Sequence, residues 1–102
     1  MNWYQTKLSS EELFNGGKLQ KLKDEFWSLL KSYTQKNGVL PKQVHLFASD
    51  DIADEITTIY FSPECAEYCP ELLRLYSASI CNKPSRNAVK PLDGEGSPDS
   101  FF

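Results

Sequence analysis

A chain of 102 residues that is 40% hydrophobic, 13% aromatic and 25% charged has the make-up of one soluble globular domain and is too aromatic for wholesale disorder. A formal net charge of -3 with a pI near 5.1 argues against phosphate-backbone binding, which depends on clustered Lys and Arg. No run approaches the roughly 18 uninterrupted apolar residues of a membrane span, and the opening MNWYQTKLSS lacks a signal-peptide core, so a cytoplasmic address without membrane contact is expected.

Trp3, Tyr4 and Leu8 make the opening a short strand or a packed arm. Ser9-Ser10-Glu11-Glu12 before Leu13 and Phe14 begins a helical turn that Asn15-Gly16-Gly17 stops. Leu19, Leu22, Phe26, Leu29, Leu30 and Tyr33 then recur at offsets 0, 3, 7, 10, 11 and 14. That spacing predicts an amphipathic helix over 18 to 35, closed by the left-handed cap of Asn37-Gly38. Trp27 falls about 100° from Phe26, at the edge of the buried stripe, as a candidate contact residue.

Val44 to Ala48 and Ile56 to Phe61 read as two strands of β-favouring residues. Phe47 opposes Val44 and Leu46, and Tyr60 opposes Ile59 and Phe61, so both faces of this hairpin want cover. The N-terminal arm, the C-terminal segment or another molecule could close the second face. A homodimer is one such arrangement. Ser62-Pro63-Glu64 carries the grammar of a helix start, with Ser as N-cap and Pro at the first position. Cys65, Tyr68, Cys69, Leu72, Leu75 and Tyr76 continue the helical spacing, and Pro70 predicts a kink, or two short helices meeting near Tyr68. Residues 1 to 82 are expected to form the compact domain, and 83 to 102 an irregular Pro/Gly-rich segment. Ser97-Pro98-Asp99 repeats the helix-starting pattern before Phe101 and Phe102, which suggests that these aromatics dock on the domain. The end Ser100-Phe101-Phe102 also resembles ligands of pockets that read chain termini.

Three cysteines and one histidine raise the question of metal or thiol chemistry. Cys65 and Cys69 share a helical face, with Cys81 farther on and His45 on a predicted strand. The set suffices chemically for zinc, but it offers one close pair where structural zinc sites use two. Buried small hydrophobes are the simpler reading for Cys65 and Cys69. A disulfide is disfavoured by the odd count and a reducing compartment. A Cys–His nucleophile lacks an orienting third group. The carboxylates Asp50, Asp51, Asp54 and Glu55 lack the ladder of a calcium loop. Gly16-Gly17 does not follow a strand as a phosphate loop does. No cofactor is implied, and no catalytic residue is assigned.

Charge is uneven along the chain: residues 1 to 38 carry a net +2, 39 to 82 a net -5, and 83 to 102 balance. The middle segment therefore suits a basic partner surface, with a solvated acidic face as the plainer alternative. These readings converge on a small α+β domain: a long amphipathic helix, a β-hairpin that the N-terminal strand extends to three antiparallel strands, and a kinked second helix. The expected function is non-enzymatic binding of another protein, of inhibitor, immunity or adaptor type. Its surface is expected to combine the hairpin acids Asp50, Asp51, Asp54 and Glu55 with Glu64, Glu67 and Glu71 on a neighbouring surface. Tyr60 or Trp27 would supply the aromatic anchor. The alternative is a metal or thiol activity of Cys65, Cys69, Cys81 and His45.

Overall fold

The computed structural model describes residues 2–39, 44–85 and 87–92. In chain order these form β1 (Trp3–Ser9), α1 (Ser10–Phe14), α2 (Lys18–Asn37), β2 (Leu46–Asp51), β3 (Ile56–Phe61), α3 (Pro63–Tyr68), α4 (Pro70–Leu75), β4 (Ser79–Cys81) and β5 (Lys90–Pro91). The strands make one antiparallel sheet in the order β4-β1-β3-β2-β5. The fold is α+β, with a five-stranded sheet where three strands were expected.

The long helix follows its hydrophobic period. Leu22, Phe26 and Leu30 are buried, with Leu19, Trp27 and Leu29 flanking them, and each fully buried side chain of this size contributes roughly 1.5–3 kcal/mol. Both ends of α2 require a left-handed backbone, φ 77° at Gly17 and φ 79° at Gly38, where glycine alone carries no Cβ penalty. The Gly38 N–H closes the last turn on the Thr34 carbonyl at 2.7 Å.

Strand register divides the sheet into two faces. Tyr4, Thr6 and Leu8 of β1 stand beside Phe61, Ile59 and Thr57 of β3, and these beside Leu46, Ala48 and Asp50 of β2. The apolar members of this inner face join Leu13, Leu22, Phe26, Leu30, Cys65, Cys69, Leu72 and Leu92 in the core. The outer face carries Trp3, Gln5, Phe47, Tyr60 and Cys81. The expected two-faced hairpin is realised in Phe47, which is outside the main core yet only 2% exposed. The rings of Trp3 and His45 lie against it, with centroids 5.7 and 5.9 Å away.

Two local expectations change. The first hairpin strand runs Leu46–Asp51 instead of 44 to 48, because its register with β3 carries pairing out to Asp51↔Ile56. The Ser62 hydroxyl does not cap α3. It accepts from the His45 backbone N–H at 3.0 Å, fastening the approach to β2 onto the start of α3. The break expected near Tyr68 takes the form of two short helices meeting at Cys69, whose φ of -142° and ψ of 60° reflect the exclusion of a pre-proline residue from the helical region, and Pro70 opens α4. From the Pro/Gly-rich segment, Lys90–Pro91 pairs with β2, and the Leu92 N–H bonds to the Leu46 carbonyl at 2.8 Å. The Ser97-Pro98-Asp99 and Phe101-Phe102 expectations lie outside the described residues.

Candidate functional site

The hairpin acids gather at one end of the sheet with residues from the short helix α1. Strand β1 ends at Ser9, opposite Ile56, and α1 begins at once. Ser9 caps α1, its hydroxyl accepting from the Glu12 N–H at 3.1 Å. The Ser10 N–H bonds to the Glu55 carbonyl at 2.8 Å, which brings the α1 acids Glu11 and Glu12 alongside the hairpin. Glu55 holds a left-handed φ of 54°, a conformation that non-glycine residues rarely adopt outside tight turns and functional sites.

Between α1 and the hairpin lies a cleft of about 420 Å³ lined by Ser9, Ser10, Glu11, Phe14, Asn15 and Glu55. Leu13 is fully buried while its neighbour Phe14 is 51% exposed, and at the hairpin tip Ile52 is 89% exposed. Two consecutive apolar residues on a five-residue helix cannot both face the core. Phe14 thus stands beside Glu11 and Glu55, and Ile52 lies in the turn between Asp51 and Asp54.

The four hairpin carboxylates are not equivalent. Thr57, fully buried, donates its hydroxyl to Asp50 Oδ1 at 2.8 Å, and Lys90 Nζ is 3.3 Å from Asp50 Oδ2. Asp50, although exposed, is therefore engaged by its own neighbours. Asp51 accepts the Asp54 N–H at 3.2 Å through Oδ1 and shapes the turn. Asp51, Asp54 and Glu55 are all exposed.

The second acidic group stands elsewhere. The hairpin loop precedes Ile56 and α3 follows Phe61, so the length of β3, roughly 20 Å with its flanking residues, separates the loop from Glu64 at the start of α3. Glu67 is exposed on α3, and Glu71 lines a separate groove between α2 and α4 with Asp24, Glu25 and Leu75. The neighbouring surfaces expected from the sequence are parted by the strand that joins them. Neither expected anchor lines the cleft beside the hairpin. Tyr60 is half-buried on the outer face next to Phe47, and Trp27 is half-buried on α2, edge-on to Phe26 at 5.2 Å and packed against the core. The sequence reading missed Glu11, Phe14 and Ile52. The available signals were the Leu13-Phe14 pair on a one-turn helix and an isoleucine inside the polar turn Asp50 to Glu55.

The Cys/His set does not converge. Cys65 and Cys69 are fully buried in the inner core, and Cys81 is half-buried on the opposite face in edge strand β4. Cys65 Sγ approaches the main-chain carbonyl of His45 at 3.6 Å, not its ring, which lies by Phe47. The hydrogen bond with Cys69, together with burial, pushes the Cys65 thiol well above its ordinary range. Among the described residues, no group of three or more His, Cys, Asp or Glu is placed to hold a metal ion. No described helix is long and apolar enough to cross a membrane.

No protein-family model matches this chain, and neither a curated protein nor a solved structure matches it.

Proposed function

We propose that the protein acts by binding another protein, as an inhibitor, immunity or adaptor module, through the acidic end of its sheet. The observation that carries this reading is the half-exposed Phe14 set in a cleft against Glu55 and Glu11, with Ile52 at the adjoining hairpin tip. An exposed aromatic rimmed by charge of one sign suits a hot-spot contact that a complementary partner desolvates. The partner is a protein with a basic surface and an apolar side chain at its centre. Its Lys and Arg meet Glu11, Asp51, Asp54 and Glu55, which speeds encounter, while contact with Phe14 slows dissociation.

A photo-crosslinking residue placed at Phe14, with Lys31 on exposed α2 as the control position, tests this in the native host. A discrete adduct at Phe14 that is absent at Lys31, carries a basic surface and fades as salt is raised supports the reading. Equal labelling at both positions, or an adduct indifferent to salt, overturns it.

A further inference from the structure

The opposite charge collects at the other edge of the sheet. Strand β1 pairs along its length with β3, but with β4 only through Trp3↔Cys81, Tyr4↔Ile80 and Gln5↔Ser79. The phase of the hydrogen bonds follows from two contacts. The Leu92 N–H meets the Leu46 carbonyl, so Leu46 faces β5, and the His45 carbonyl accepts from Ser62 on the β3 side. Alternation then turns Phe47 toward β3, and Ile59 and Phe61 toward β1, where Tyr4, Thr6 and Leu8 receive them. The main-chain groups of Trp3, Gln5 and Lys7 therefore point to the far edge. Trp3 and Gln5 meet β4 there. Lys7 does not, because N-terminal to Ser79 the chain swings aside through Tyr76 and Ser77, the latter at φ 50°, and Tyr76 is pinned by the Thr6 hydroxyl donating to its carbonyl at 2.7 Å.

The Lys7 N–H and C=O thus open onto a cleft of about 430 Å³ whose walls include Lys18 and Lys21 of α2, Leu75 and Tyr76. Leu75 is 63% exposed. Three lysines face this space against a single acid, Glu25; Lys18 also reaches Glu12 at 3.2 Å, an exposed pair that contributes little on its own.

We infer that this edge takes an acidic, extended segment of a partner protein as an added strand, exchanging a pair of main-chain hydrogen bonds with Lys7. Its carboxylates lie toward Lys18 and Lys21, and an apolar side chain lies on Leu75. Strand addition draws affinity from the main chain and selectivity from the flanking side chains. Pairing with a second copy is disfavoured, because two β1 edges meeting about Lys7 would set lysine against lysine, and like charges directly opposite destabilise a pair. The cleft shares no lining residue with the one at the hairpin end and is opposite to it in charge, so either proposal can fail alone.

The test is titration of the isotope-labelled full chain with the blocked peptide acetyl-Glu-Thr-Glu-Thr-Val-amide, whose two carboxylates and valine share one face of an extended strand, followed by amide shifts and exchange. The expected result is saturable shifts centred on Lys7, Lys18 and Leu75 with slowed exchange of the Lys7 amide. Binding should weaken at least tenfold for the Lys-Thr-Lys-Thr-Val counterpart and for a peptide N-methylated along one edge. Lys7→Pro should abolish it, since that N–H serves no bond among the described residues; should this variant not fold, the N-methylated peptide carries the same test on the wild-type chain. The inference is overturned if the methylated or basic peptide binds equally, if shifts map away from Lys7, if free glutamate reproduces them, or if no saturable shift develops. Protection of the Lys7 amide that rises with protein concentration alone assigns the edge to a second copy and also overturns it.

Discussion

The Ser10 N–H donates to the Glu55 carbonyl at 2.8 Å, and this one bond joins the start of α1 to the hairpin turn. It couples two stretches 45 residues apart in sequence into one acidic end of the sheet. Beneath it runs a polar chain. Thr57 has a single hydroxyl proton, which goes to Asp50, so the 3.1 Å contact between Ser10 Oγ and Thr57 Oγ1 has Ser10 as donor. Ser10, Thr57, Asp50 and Lys90 thereby link α1, β3, β2 and β5.

Thr57→Val removes the hydroxyl from this chain while nearly keeping its volume. With Thr57 fully buried, the Ser10 hydroxyl and the Asp50 carboxylate each lose a partner. A loss of about 1–3 kcal/mol is expected in denaturant unfolding. A change within about 0.5 kcal/mol, the usual range for an uninvolved surface position, would show that the chain does not hold the two elements together.

The three thiols should separate by reactivity. Cys81 is half-buried on an edge strand, while Cys65 and Cys69 are fully enclosed. A thiol reagent is expected to modify Cys81 in the folded protein and the other two only at the rate of unfolding. Rapid modification of Cys65 or Cys69 under native conditions would contradict the enclosed thiol pair.

Stability should decline on the alkaline side. Burial pushes the Cys81 thiol above its ordinary value of 9.0, and burial, followed by the neighbouring Cys81, pushes the Tyr60 phenol above 10.0. Both groups hold their protons more tightly folded than unfolded. Their contribution is complete below about pH 9 and is lost as pH rises through the folded-state values. Unfolding measured from pH 8 to 11 should show this fall, and the double variant Cys81→Ser, Tyr60→Phe should lessen it, with the remainder coming from the raised Cys65 thiol and the raised Tyr68 and Tyr76 phenols. A wild-type curve that rises over this range would contradict the assignment.

Trp27→Ala distinguishes a packing role from an interface anchor. The edge-on contact with Phe26 and the packing of Trp27 on the core predict a loss of about 2–4 kcal/mol, toward the low end of aromatic truncations because the ring is half-buried. Unchanged stability would return Trp27 to the set of free contact residues.

Elements governed by local rules were legible in the sequence. The period of Leu22, Phe26 and Leu30, the Gly38 cap and the Pro70 break each act within one or two turns of chain, and α2, α3 and α4 lie accordingly. Strands β4 and β5 were illegible because three and two residues carry no period of their own, and their pairing with Trp3–Gln5 and with Phe47–Ala48 is set by tertiary contacts. The same limit applies to the candidate site. Asp51, Asp54 and Glu55 were recognisable as exposed acids, whereas their union with Glu11 and Phe14 depends on β1 lying antiparallel to β3. Glu64 and Glu67 were grouped with them by nearness in sequence, which an extended strand converts into distance.

Association kinetics of the partner captured at Phe14 test the central claim most directly, measured by stopped flow at low and high salt with charge reversals at the two ends of β3. The triple variant Glu11→Lys, Asp51→Lys, Asp54→Lys should bind at least tenfold more slowly at low salt and lose most of its salt dependence, while Glu67→Lys stays within about twofold of wild type. Equal slowing by Glu67→Lys, or a wild-type rate indifferent to salt and to all of these reversals, would contradict the assignment of the hairpin end as the docking surface.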